Sequence, residues 1–60
     1  MYELELETDK IIEFFHYPHN RKGLLAALKC VYKNRAKLIV ANIRSHRDGL
    51  IYNFCKNNFV

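Results

Sequence analysis

No stretch of this chain stays apolar for the roughly 18 residues that a membrane-crossing helix needs. The N-terminus, MYELELETD, has neither the basic start nor the apolar middle of a secretory signal. A cytoplasmic location without a membrane role is therefore the default expectation. Cysteine is scarce: Cys30 and Cys55 form a single pair at long spacing, whereas small disulfide scaffolds usually carry four or more. Reduced thiols are expected. There are no internal repeats and no linker, and the low hydrophobicity that marks disordered chains is absent, since 50% of residues are hydrophobic and 27% charged. Sixty residues make one domain at most, spanning 1–60, and a domain of that size buries only about 60% of the surface its unfolded chain exposes.

Acidic residues are almost missing after residue 13. Residues 1–13 hold five acids against Lys10, a net of −4, and residues 14–60 hold nine Lys/Arg against Asp48, a net of +8; together these make the chain's +4. The molecule is electrically lopsided, which brings nucleic acid into consideration as a partner.

What is present reads as alternating strands around one helix. In MYELELE, Tyr2, Leu4 and Leu6 alternate with Glu3, Glu5 and Glu7, the period of a half-buried strand. A break at Thr8-Asp9-Lys10 leads into IIEFFHY, rich in β-branched and aromatic residues, so a hairpin is expected. A three-residue loop sets Leu6 against Ile12, Leu4 against Phe14 and Tyr2 against His16. It also sets Glu5 against Glu13, a like-charge pair that costs stability. Pro18 ends the second strand, and Asn20 is the expected N-cap of a helix over RKGLLAALKCVYKNRAK. At 100° per residue Leu24, Leu25, Leu28, Val31 and Tyr32 share one side and Lys22, Lys29, Lys33 and Lys37 the other.

LIVANIR alternates again, and Asp48-Gly49 is the dipeptide preferred in a two-residue type I′ turn. Centring a hairpin there pairs Ile43 with Phe54 and Ser45 with Tyr52, and gathers Ile39, Ala41, Ile43, Leu50, Tyr52 and Phe54 on one face. The competing reading, a helix continuing through LIVANIR, is opposed by Gly49 and the β-branched run. The expected architecture is α+β: a small ββαββ domain whose two hairpins form an antiparallel sheet with one amphipathic helix on one face.

His46–Asn53 reads HRDGLIYN and matches the kinase catalytic-loop pattern H-R-D-x-x-x-x-N. The phosphate-covering Gly-rich loop, ATP-contacting Lys and metal-binding Asp of a kinase cannot be fitted into this chain, so the match reads as a turn and the strand after it. His16, His19, His46, Cys30 and Cys55 are zinc-ligand types, yet no C-x-x-C or H-x₃₋₅-H partner set completes a tetrahedral site. His46 and Asp48 sit close in sequence, but an Asp in a turn ordinarily supplies backbone geometry. A chain this short also has little volume for a substrate pocket. No catalytic residues, metal or cofactor are assigned, and a non-enzymatic protein is expected.

Two surfaces remain as binding candidates. The outer sheet face is expected to carry Glu3, Glu5, Glu7 and Glu13 around Ile11, Phe15, Val40, Ile51 and Cys55, an apolar patch edged with acids that suits a protein partner. Its assigned binding residues are Glu3, Glu5, Glu7, Ile11, Phe15, Val40 and Ile51, with Phe15 and Ile51 as anchors. The alternative is nucleic-acid binding along the stripe of Lys22, Lys29, Lys33 and Lys37, joined by Arg21 at a helix N-terminus that already favours anions. The leading expectation is a small regulator or inhibitor that docks on a larger protein, of the kind phages and mobile elements encode as accessory factors. Self-association as a homodimer is expected too, because one helix covers only one sheet face.

Overall fold

In the computed structural model, which describes residues 1–55, the chain runs β1 (Tyr2–Thr8), β2 (Ile12–Tyr17), α1 (Arg21–Lys33), β3 (Leu38–Ser45) and β4 (Gly49–Cys55). The strands form one antiparallel sheet in the order β2-β1-β3-β4, with α1 packed against one face. The ββαββ expectation is met. The two hairpins join through β1 and β3, which take the centre of the sheet, with β2 and β4 on either side.

The core lies between the sheet's inner face and the helix. Tyr2, Leu4 and Leu6 of β1, Leu38, Ala41 and Ile43 of β3, and Ala27 and Val31 of α1 are buried, with Phe15, Tyr17, Leu24, Leu28, Cys30 and Phe54 packed around them. The alternation of β1 maps onto burial as expected: leucines in, glutamates out.

The first hairpin differs from the expected register by one residue. Thr8 N–H donates to the Ile11 carbonyl at 3.0 Å, which tightens the turn to Asp9-Lys10 and pairs Leu4 with Phe15, Glu5 with Phe14 and Leu6 with Glu13. Because side chains alternate with period two, a one-residue slip turns the whole strand over. Phe15 and Tyr17 therefore face the core, while Ile12, Phe14 and His16 face out. The slip abolishes the Glu5–Glu13 pairing and sets His16 beside Glu3 instead, which gives it an electrostatic reason.

The second hairpin also turns elsewhere. Ser45 pairs with Gly49, so the loop is His46-Arg47-Asp48, closed by Gly49 at φ 75°. This is a three-residue connection with glycine in the left-handed region. Ile43 pairs with Tyr52 rather than Phe54, a shift of two that leaves Ala41, Ile43, Tyr52 and Phe54 on the inner face. A bulge at Ile51 sends Leu50 outward, opposite Arg44. Another bulge, where Thr8 meets Leu38, leaves Ile39 42% exposed and buries Leu38 in its place.

Asn20 caps α1 as expected: its backbone is extended and its Oδ1 accepts the Gly23 N–H at 2.8 Å. The helix ends at Lys33, four residues short of the expected Lys37, where Asn34 donates its side-chain amide to the Cys30 carbonyl at 2.8 Å. The buried stripe is Gly23, Ala27 and Val31. These small residues let the helix backbone approach closely, and Gly23 lies against the Pro18 carbonyl, where a Cβ would sit 1.9 Å from the oxygen. Leu25 and Tyr32, expected in the core, are 56% and 58% exposed. The helix lies over β2, β1 and part of β3 and does not pack against β4, so its apolar sector continues past the sheet contact.

Candidate interaction surfaces

The outer sheet face is built in rows across the four strands. One row is Ile12-Glu7-Val40-Cys55, the next Phe14-Glu5-Asn42-Asn53, and the third His16-Glu3-Arg44-Leu50. The central column of glutamates is thus flanked by Ile12 and Phe14 on one side and by Arg44 on the other. Arg44 reaches Glu5 at 2.8 Å and Glu3 at 3.9 Å, and His16 lies 3.4 Å from Glu3. The Arg44 hydrogen bond holds the Glu5 carboxyl below its ordinary value. Glu7 pairs with no cation among the described residues. Phe14 and Ile12 are 57% and 53% exposed beside these acids, and Asn53 donates to Asn42 at 2.6 Å in the neighbouring column.

Of the residues expected on this face, Glu3, Glu5, Glu7 and Val40 are there, as is Cys55. Phe15 is not: the register slip puts it against the core. Glu13 follows Phe15 to the inner side, opposite Leu6. Ile11 leaves the sheet for the β1–β2 turn, where it lines a cleft of about 350 Å³ with Thr8, Asp9, Lys10, Glu13, Asn34 and Lys37. Ile51 is the extra residue of the β4 bulge and stays 37% exposed. Ile12, Phe14 and Arg44 were missed as outer-face residues. The signal that could have found the first two was the Glu5–Glu13 clash in the expected register.

On the opposite side of the molecule Lys22, Lys29 and Lys33 are exposed along α1. Their spacing, seven and then four residues, keeps them on one stripe, and none pairs with an acid among the described residues. Arg21 is exposed in the first turn, one position round toward Leu25. Lys37 lies beyond the helix end and belongs to the cleft beside Ile11 rather than to the stripe.

A second apolar feature runs between helix and sheet. Leu25, Leu28, Lys29, Val31 and Tyr32 on α1 face Phe54 on β4 across an open groove of about 510 Å³. It exists because α1 lies over β2, β1 and part of β3 and not over β4. Arg35 lies over the exposed Tyr32 ring, 4.0 Å from its centroid, and donates to the Tyr32 carbonyl.

One Ser–His pair, not anticipated from sequence, joins distant parts of the chain: His19 Nε2 and Ser45 Oγ are 3.1 Å apart. Ser45 is 4% exposed and its oxygen also accepts the Arg47 N–H. The His19 ring stacks on Tyr2 at 4.5 Å. Among the described residues no carboxylate orients the imidazole, and a buried hydroxyl offers no approach to a substrate. The pair ties the segment before α1 to the end of β3.

The HRD tripeptide forms the exposed β3–β4 loop, and Asn53 points to the outer face rather than toward it. No group of three or more potential metal ligands occurs among the described residues. Cys30, on the helix beside the inner face, and Cys55, on the outer face, are both free and lie on opposite sides of the sheet. Burial, with the neighbouring Cys30 thiol, pushes the Tyr17 phenol up to about 12. No helix among the described residues is long and apolar enough to cross a membrane. No family model, no curated protein and no solved structure matches this chain.

Proposed function

We propose that this chain is a small non-enzymatic binding protein that docks on a larger protein through its outer sheet face and regulates or inhibits it. The observation that supports the reading is the placement of Phe14 and Ile12, more than half exposed, directly beside Glu3, Glu5 and Glu7. A large aromatic open to water next to a column of acids has the make-up of an interface centre with a charged rim. It fits a partner presenting an apolar pocket bordered by basic residues. The acids steer such a partner in and make association faster at low salt.

The same acids repel phosphate, so the sheet face is not a base-stacking platform of the kind small sheet domains use for RNA. A second reading rests on the opposite side, where Lys22, Lys29 and Lys33, without an acidic partner among the described residues, form a stripe that suits a phosphate backbone. Binding there would be weak, sequence-independent and steeply salt-dependent, because the stripe offers charges and few base-reading groups.

Capture from lysate with and without nuclease separates the two readings, using the chain itself, Phe14→Ala, and Lys29→Glu with Lys33→Glu. Nuclease-resistant retention of one protein, lost in Phe14→Ala and kept in the double lysine variant, supports docking. Loss of all bound material on nuclease treatment or in the lysine variant supports nucleic acid and overturns the first reading.

A further inference from the structure

The buried stripe Gly23, Ala27 and Val31 fixes which side of α1 meets the sheet, and the helical period then fixes what points away from it. At 100° per residue, Leu25 and Lys29 lie within about 20° of the direction opposite Ala27, with Arg21 and Tyr32 flanking them on one side and Lys22 and Lys33 on the other. All six are exposed. Leu25 and Tyr32 are the apolar members, more than half open to water, and Arg35, lying over the Tyr32 ring, joins the four cations of the helix. The helix RKGLLAALKCVYK contains no acid.

We infer that this outward face of α1 is a docking surface for an anionic lipid membrane, on which the helix lies in the plane of the bilayer with Leu25 and Tyr32 dipping among the headgroups. Charge complementarity supplies the attraction, since each Lys or Arg close to an anionic bilayer strengthens binding roughly fivefold. The apolar pair discriminates between anionic surfaces. A phosphate backbone is matched by charge alone, whereas a bilayer also takes up a leucine and a tyrosine whose amphipathic ring suits the headgroup level. Attachment of this kind is peripheral and reversible, and it needs no spanning helix.

The chain's charge asymmetry sets the orientation. Glu3, Glu5 and Glu7 alternate with the buried Tyr2, Leu4 and Leu6 on β1, so they lie on the side of the sheet away from α1. An anionic surface therefore attracts the helix side and repels the outer face, which stays turned to solvent with Phe14. The patch takes no residue from β4 and none from the outer face, so membrane attachment and protein docking are independent of one another. Nucleic acid, by contrast, would compete for the same lysines.

Co-sedimentation of the purified chain with phosphatidylcholine vesicles, with and without phosphatidylserine, tests the inference, and labelled duplex DNA and single-stranded RNA are the competing probes at the same ionic strength. The chain is expected to bind the phosphatidylserine vesicles at low salt, to leave them at high salt and to ignore phosphatidylcholine alone. Lys29→Gln with Lys33→Gln should weaken vesicle binding about thirtyfold. Leu25→Ala should weaken it about tenfold and leave binding to either nucleic acid unchanged, with circular dichroism confirming that each variant is folded. Phe14→Ala should bind vesicles like the wild type. No binding to phosphatidylserine vesicles at low salt overturns the inference. So does vesicle binding that a folded Leu25→Ala leaves intact, or nucleic-acid binding tighter than vesicle binding, which returns the stripe to a phosphate backbone. Vesicle binding lost in Phe14→Ala overturns it as well, because the acidic face would then meet the bilayer. Partner capture is read without vesicles, so failure of membrane attachment and failure of docking give different results.

Discussion

Gly23→Ala puts the packing of α1 to its hardest test. On an exposed helix the substitution would stabilise by about 1 kcal/mol, since alanine has the better helix propensity. Here the added Cβ meets the Pro18 carbonyl oxygen at 1.9 Å, with the Pro18 carbonyl carbon at 2.9 Å and nitrogen at 3.1 Å. The obstacle is backbone, so no side-chain rotation relieves it. The helix must move away from the β2–α1 segment, and two things give way together. The Asn20 cap, a 2.8 Å bond to the very residue being changed, is worth about 1 kcal/mol. Forcing extra volume into a packed contact costs about 1–3 kcal/mol. Set against the propensity gain, the net expectation is a loss of about 2 kcal/mol, with the cap and packing costs outweighing propensity. A chain of this size is stable by only about 3–9 kcal/mol, so thermal unfolding by circular dichroism should show Tm lower by about 10 °C. Ala26→Gly, at an exposed position of the same helix, provides the comparison, with a propensity loss of about 1 kcal/mol. A Gly23→Ala protein as stable as wild type, or more stable, refutes the close approach of α1 to Pro18.

Other substitutions check the register, the turn and the titration. Phe15→Ala should destabilise by about 3 kcal/mol, less than a fully buried Phe because Phe15 is partly exposed, and Phe14→Ala by under about 0.5 kcal/mol; chemical denaturation that reverses the order restores the other register. Gly49→Ala should cost about 1 kcal/mol from backbone strain alone, since φ is 75° and nothing lies within 4 Å of the added Cβ; Gly49→Asn should recover part of it in the same melts. Tyr17 has a folded-state pKa raised from 10.0 to about 12. Its contribution is therefore complete below about pH 10 and is lost as pH rises toward 12, because the unfolded chain gives up the proton first. Tyr17→Phe should show a shallower loss of stability between those pH values, and an unchanged slope sinks the assignment.

The order ββαββ, the helix cap at Asn20 and the inward leucines of β1 follow from local pattern alone. Period-two alternation, a proline stop and a cap residue act within a few residues of one another, and the three-dimensional arrangement had no reason to override them. The acidic column Glu3-Glu5-Glu7 and the lysine stripe were legible for the same reason: each lies on one element with a fixed period.

Tertiary structure decided whatever depended on register and on how the helix meets the sheet. The turn at Asp9-Lys10 is one residue shorter than composition suggested, and that residue exchanges Phe15 for Phe14 at the surface. Bulges at Ile39 and Ile51 reset the alternation of β3 and β4 in a way no periodic template contains. The helix wheel identified an apolar sector, but its centre is set by Gly23 and Ala27, because only small residues allow the backbone so near Pro18 and the sheet. Leu25 and Tyr32 are left outside as a result, and α1 does not lie over β4. Local periodicity tells which residues share a side, whereas contact across elements determines which side is covered.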